Sequence, residues 1–140
     1  MPSHFVTGPA LHAGETCDAS RVVQFLRRLR VVSVGRERAL QDTTAALFEA
    51  NGVPFEREAA LAPGCRIDFL VGGSIGVELK KGKPNAEAVR LQLARYARTG
   101  RLTDVILLVE RSAWGIPATG SAGTVRTFYV GLSKQWGIAV

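Results

Sequence analysis

Two short segments of alternating character, separated by Gly72-Gly73-Ser74, constrain the possible folds more than any other part of the chain. Residues 66–71 read Arg-Ile-Asp-Phe-Leu-Val, and residues 75–81 read Ile-Gly-Val-Glu-Leu-Lys-Lys. Both segments have the period-two pattern of a strand, and the glycine-rich break between them has turn composition. If Gly72, Gly73 and Ser74 form a three-residue hairpin loop, Val71 faces Ile75, Asp68 faces Glu78 and Arg66 faces Lys80. Side chains alternate across a strand, so this register gathers Ile67, Phe69, Val71, Ile75, Val77 and Leu79 on a wholly apolar face. Arg66, Asp68, Leu70, Gly76, Glu78 and Lys80 share the other. A two-residue loop would set Asp68 against Val77 and mix the two faces, so parity selects the longer loop.

The flanking sequence predicts what this hairpin packs into. Residues 1–18 mix Pro, Gly, His and Thr without periodicity and are expected to be a loosely ordered lead-in. Val22, Val23, Phe25, Leu26 and Leu29 recur at helical spacing between Ala19 and Leu29. The β-branched stretch Val31 to Val34 follows. Residues 36–50 predict a second helix, with Leu40, Leu47 and Phe48 on its buried stripe and Asn51-Gly52 as its stop. Phe55 to Leu61 is expected to be extended, ending at Pro63-Gly64. Beyond the hairpin, Pro84 opens a helix expected to reach about Thr99, with Gly100 past its end. Asp104 to Glu110 contains Val-Ile-Leu-Leu-Val, the signature of a strand buried on both faces. Ser112 to Thr124 is rich in Gly, Ala and Ser and is expected to be a flexible loop, with Val125 to Gly131 a final strand. No internal repeat occurs. The order helix, three strands, helix, strand predicts one α/β domain over residues 1–140, its core at about 36–131, with a mixed central β-sheet flanked by helices.

Bulk properties narrow the class. Cys17 and Cys65 are the only two cysteines and no Cys/His cluster has zinc spacing, so both thiols are expected to be reduced and the protein cytoplasmic. No apolar run approaches a membrane span, and the N-terminus lacks a signal-peptide pattern, so neither membrane insertion nor export is expected. Lys and Arg outnumber Asp and Glu by 18 to 12, for a net charge of +6. That balance suits either a polyanionic partner or a solvated basic face. Arg27, Arg28, Arg30, Arg36 and Arg38 form one cluster, and Lys80, Lys81 and Lys83 another.

The polar face of the hairpin carries the chemistry. Two carboxylates directly opposed on neighbouring strands repel unless a positive charge lies between them. Either a divalent cation satisfies Asp68 and Glu78, or they pair with Arg66 and Lys80 as a charged ladder on a solvated face. The apolar stretches and the helix around these strands favour a central position, where unpaired charge is costly. Mg²⁺ binds few protein carboxylates and leaves positions for water and phosphate oxygens. Lys80, on the same face, is placed to reach such a water or a phosphate. His4 and His12 fall in the lead-in, and no phosphate-binding P-loop is present, so neither histidine chemistry nor nucleotide binding of that type is indicated.

Arg66-Ile67-Asp68, nine residues, then Glu78-Leu79-Lys80 resembles the PD-(D/E)XK nuclease superfamily, with Ile67 where the motif usually has proline. The resemblance implies the restriction-endonuclease-like fold, an αβββαβ core that would cover about residues 36–110. It also implies a Mg²⁺- or Mn²⁺-dependent nuclease acting on DNA. Asp68, Glu78 and the Leu79 backbone carbonyl would hold the metal, and Lys80 would activate water or stabilise the transition state. Gln92 and Tyr96, at i and i+4, look like the Gln-x-x-x-Tyr element of the RecB-like exonuclease branch, which positions the nucleic acid or the active site. Glu37 matches a glutamate that the family often places on the preceding helix, with Gln41 one turn on. Glu58 is a second acidic candidate. Lys81 and Lys83 would contact DNA backbone phosphates.

Other readings stay open at this level. The same residues would serve a nuclease-fold binding module without activity, or a charged hairpin face that docks an acidic partner. Within the nuclease reading, a Holliday-junction resolvase would act as a homodimer, an exonuclease would need an end, and a repair nuclease would sit in a larger assembly. RNA is not distinguished from DNA.

Overall fold

The computed structural model describes residues 10–11, 17–29, 37–110 and 119–132. Its elements are α1 (Ala19–Leu26), α2 (Glu37–Ala50), β1 (Phe55–Ala62), β2 (Cys65–Val71), β3 (Ile75–Lys80), α3 (Ala86–Arg98), β4 (Asp104–Val109), β5 (Thr119–Ala122) and β6 (Val125–Gly131). One six-stranded mixed sheet runs in the order β1-β2-β3-β4-β6-β5. The first three strands form an antiparallel meander, and α3 then carries the chain back so that β4 lies parallel to β3. On its far side β4 pairs in parallel with β6.

Local chemistry sets the helix ends. The Asp18 side chain caps α1 by accepting the Arg21 N–H at 2.9 Å. The helix is shorter than the Ala19–Leu29 stripe implied, because Arg28 and Leu29 bond back only three residues, to Phe25 and Leu26. This tighter last turn still delivers Leu29 to the core, fully buried. At the end of α2, Gly52 takes a positive φ of 68° while Val53 N–H reaches the Phe48 carbonyl and Gly52 N–H the Glu49 carbonyl. That is the paired bonding of a Schellman stop, and only glycine adopts its left-handed position without strain. Asn85 caps α3 through the Ala88 N–H. The lead-in and the stretches 30–36 and 111–118 lie outside the described residues, apart from Ala10, Leu11, Cys17 and Asp18.

Both faces of the sheet are covered. On one, α1 and α2 bury Phe25, Leu47 and Phe48 against Phe69, Val77 and Ile106. Phe48, Phe55 and Phe69 meet with ring centroids 5.5–5.6 Å apart. On the other, α3 lays Val89 against Leu107, and Tyr96 joins Leu70, Leu102 and Val105. All six residues of β4 are buried, as expected for a strand covered on both sides. At the start of β4 the buried Asp104 is held by Thr103 Oγ1 at 2.7 Å and Arg126 Nε at 2.8 Å.

Two further sequence expectations need correction here. Residues 119–122, assigned to a flexible loop, form β5, an edge strand antiparallel to β6. Gly and Ser lower its intrinsic strand preference, and pairing with β6 overrides that. Ile67 does not share a face with Phe69. It packs with Leu70, Tyr96 and Leu102, over Gly76. A Cβ at Gly76 would overlap Ile67 Cδ1 and lie 3.1 Å from Leu102 Cδ1. The missing side chain at 76 is therefore the room that lets Ile67 cross. Gly76→Ala is expected to destabilise the fold by about 1–3 kcal/mol, as overpacked core sites do, measurable by urea denaturation.

Candidate active site

The hairpin register is the one parity selects: Val71 faces Ile75, Leu70 faces Gly76 and Phe69 faces Val77. The ladder stops there, short of Asp68. Instead, the two carboxylates cross between the strands. Leu79 N–H donates to Asp68 Oδ2 at 2.7 Å, and Asp68 N–H donates to Glu78 Oε1 at 3.2 Å. Each acidic side chain thus takes a backbone donor that a regular ladder would use, and holds β2 and β3 apart at this level. The β1 side is also interrupted. Arg57 pairs with Phe69 and Ala59 with Ile67, but Glu58, at φ 49°, is left out opposite Asp68. Glu58 points to solvent and contributes nothing described to the carboxylate pair. Arg66 and Lys80 do not form the expected ladder pair, because the strands have already parted.

Neighbouring elements fill the remaining positions. From α2, Gln41 Nε2 donates to Asp68 Oδ1 at 3.1 Å. Arg57, which the sequence did not single out, fixes that amide: its Nη2 lies 3.0 Å from Gln41 Oε1 and 2.9 Å from Asp42 Oδ1. From α3, Gln92 Nε2 reaches Glu78 Oε2 at 3.0 Å and the Tyr96 hydroxyl at 2.9 Å. That hydroxyl donates to the Arg66 carbonyl at 3.3 Å, so one hydrogen-bonded chain links α3 to both β2 and β3. Burial, with the Glu78 charge nearby, raises the Tyr96 phenol far above its ordinary range, and it acts as a neutral donor.

The electrostatics are those of a crowded acidic pair. Burial first, and the Asp68 carboxylate second, push Glu78 from 4.5 up to about 7, against the lowering influence of Lys80. Lys80 Nζ stands 3.7 Å from Glu78 Oε2 and keeps about a third of its side chain exposed, facing the opening. Leu79 directs its N–H toward β2, and a strand residue's N–H and C=O share an edge, so the Leu79 carbonyl faces the same gap. Two carboxylates and a carbonyl form an all-oxygen donor set suited to a hard divalent cation that retains water ligands. Among the described residues no group of three or more His, Cys, Asp or Glu side chains forms a richer metal cage.

Of the other sequence candidates, Glu37 opens α2 one turn before Gln41, and its side chain lies outside the described residues. Lys81 and Lys83 are exposed just beyond β3. Their turn is tied down by Glu110, a residue the sequence did not flag, which accepts the Gly82 N–H at 3.1 Å. In the arginine cluster, Arg28 is committed to structure: it bonds Asn51 Oδ1 at 3.3 Å and stacks over Phe25. Arg30, Arg36 and Arg38 fall outside the described side chains. No described helix is long and apolar enough to cross a membrane. No family model, no curated protein and no solved structure matches the chain.

Proposed function

We propose that this protein is a Mg²⁺- or Mn²⁺-dependent nuclease that hydrolyses phosphodiester bonds in DNA. The observation that carries the reading is the crossed carboxylate pair in the gap between β2 and β3, with Lys80 at its mouth. A structural charge ladder would keep the strands paired and the acids solvated. Here the acids break the ladder, and Glu78 is buried beside Asp68 at an electrostatic cost. Further support for a restriction-endonuclease-like core comes from the order α2-β1-β2-β3-α3-β4, a meander followed by a parallel return through a helix.

Asp68, Glu78 and the Leu79 carbonyl would hold the ion. When bound, it would supply Lewis-acid charge to the phosphate and acidity to a water. The chain's own residues do the rest. Gln41 and Gln92 orient the two carboxylates, Tyr96 fixes Gln92, and Arg57 fixes Gln41. Lys80 offers a proton donor and a positive charge where negative charge develops on the phosphate. The exposed cations just beyond β3, Lys81 and Lys83, suit backbone phosphates rather than base edges, in keeping with low sequence specificity.

Cleavage of linear, nicked, branched and single-stranded DNA with Mg²⁺ or Mn²⁺ tests the proposal, and absence of metal-dependent cleavage on all of them would refute it. Metal binding carries a pH signature. Glu78 must lose its proton to bind an ion, so Mn²⁺ affinity measured by calorimetry is expected to rise about tenfold per pH unit below about 7 and to level off above it. A flat profile from pH 5.5 to 8 would mean that Glu78 is not a ligand.

A further inference from the structure

We propose that the outer face of α3 is a track that guides a single-stranded segment of nucleic acid into the site. This rests on the nuclease reading and adds the form of the substrate. A cleft of about 590 Å³ starts at Lys80 and Gln92, inside the site, and runs along α3 to Arg95 and Arg98. Leu91, Arg95 and Arg98 stand at i, i+4 and i+7, on one face of the helix. Val89 and Tyr96 are on the buried face. Among the described residues, no carboxylate lines the cleft.

Arginines in a last helical turn are favoured by the helix dipole alone. Leu91 is not explained that way. It is the one large hydrophobic side chain exposed among the described residues, at 55%. Together with Ala88 and Ala94 it gives the cleft an apolar floor, while cations stand at both ends.

Duplex DNA presents phosphates outward and keeps its base faces stacked inside, so an apolar floor would gain nothing from it. A single strand offers both, base faces for Leu91 and phosphates for Arg95 and Arg98. From Ala88 to Arg98 the helix rises about 15 Å, enough for a few nucleotides. The substrate class that fits is a single-stranded end, flap or gap whose backbone passes Arg98 and Arg95 before reaching Lys80.

Fluorescence anisotropy in EDTA, with labelled oligothymidylate, oligouridylate and a duplex, tests this. The Arg95→Ala/Arg98→Ala variant is expected to bind single strands about tenfold more weakly, and its salt slope to fall by about 1.4, the loss of two single-strand phosphate contacts. Leu91→Ala is expected to weaken single-strand binding about threefold or more and leave duplex binding unchanged. Arg90, paired with Glu87 on α3, supplies the control: Arg90→Ala should bind both forms as the unaltered protein does. Tighter binding of thymidylate or of uridylate names the preferred strand, and either supports the track. Equal losses for duplex and single strand, or no loss, would overturn it. The nuclease reading is scored separately, by hydrolysis of a small nitrophenyl phosphodiester too short to reach Arg95. If the unaltered protein fails there, and on all DNA substrates, while single-strand binding still depends on Arg95 and Arg98, the track stands without the nuclease.

Discussion

Lys80→Ala is expected to lower the rate of metal-dependent DNA cleavage by about 10²–10³-fold, the usual cost of removing one donor aimed at developing charge. Among the described residues its ammonium is the only cation paired with a carboxylate of this pair. Lys81 lies exposed beyond the end of β3. Lys80→Arg should restore little. A guanidinium is broad, planar and permanently charged, whereas a compact ammonium can both sit close to a phosphate and yield a proton. Metal binding provides the internal control. In the variant Glu78 loses the Lys80 ion pair but both carboxylates keep their hydrogen-bond partners, so Mn²⁺ affinity at pH 8.5 should be retained while cleavage falls. A Lys80→Ala protein that cleaves at the original rate would remove Lys80 from the mechanism.

Glu78→Gln should lose cleavage and gain stability at once. Glu78 has a folded-state pKa near 7 against 4.5 as its ordinary value, because it is buried and adjacent to Asp68. An acid whose folded pKa is raised favours the fold while protonated. That contribution is complete below pH 4.5 and is lost as pH climbs through about 7. At pH 8 the metal-free protein therefore carries an unfavourable buried charge, which glutamine lacks. The variant should be more stable there by about 1–3 kcal/mol, several degrees in Tm, in the direction that relieving strained active sites often takes. At pH 5 the gain should largely vanish. Thermal melts in EDTA at the two pH values, beside a cleavage assay, check both halves. Equal Tm at pH 8 would mean the carboxylate pair is not destabilising, and residual activity would mean Glu78 is not needed.

Much of this arrangement was legible in the sequence because it depends on periodicity and parity. The hairpin register followed from keeping Phe69, Val71, Ile75 and Val77 on one side, which is a property of alternation and not of tertiary context. The stop of α2 followed from Asn51-Gly52, whereas α3 starts at Ala86 behind the Asn85 cap, two residues after the Pro84 expected to open it. What stayed hidden depends on contacts between distant elements. Ile67 crosses to the other face because Gly76, across the hairpin, has no side chain, and no local pattern encodes that exchange. Arg57 lies on β1 in a run of mixed charge, and its role emerges only when α2 brings Gln41 and Asp42 within reach. Gln92 and Tyr96 stand out in the sequence only through a resemblance. Their spacing alone gives only a shared helical face, while the link to Glu78 requires the fold of α3 onto β3.

The crossed hydrogen bonds have a consequence for reading related chains. Asp68 and an acceptor oxygen at position 78 stitch β2 to β3 where backbone pairing fails, so a homologue without the proposed activity would still be under pressure to retain them as fasteners, a role glutamine at 78 fills without the buried charge. Their persistence in a homologue would then testify to architecture as readily as to activity. The described partner of the Lys80 side chain is the Glu78 carboxylate, not a backbone group. A chain that kept both acids but drifted freely at the lysine would have the scaffold of this site without its use, and the lysine is the position at which to look for that difference.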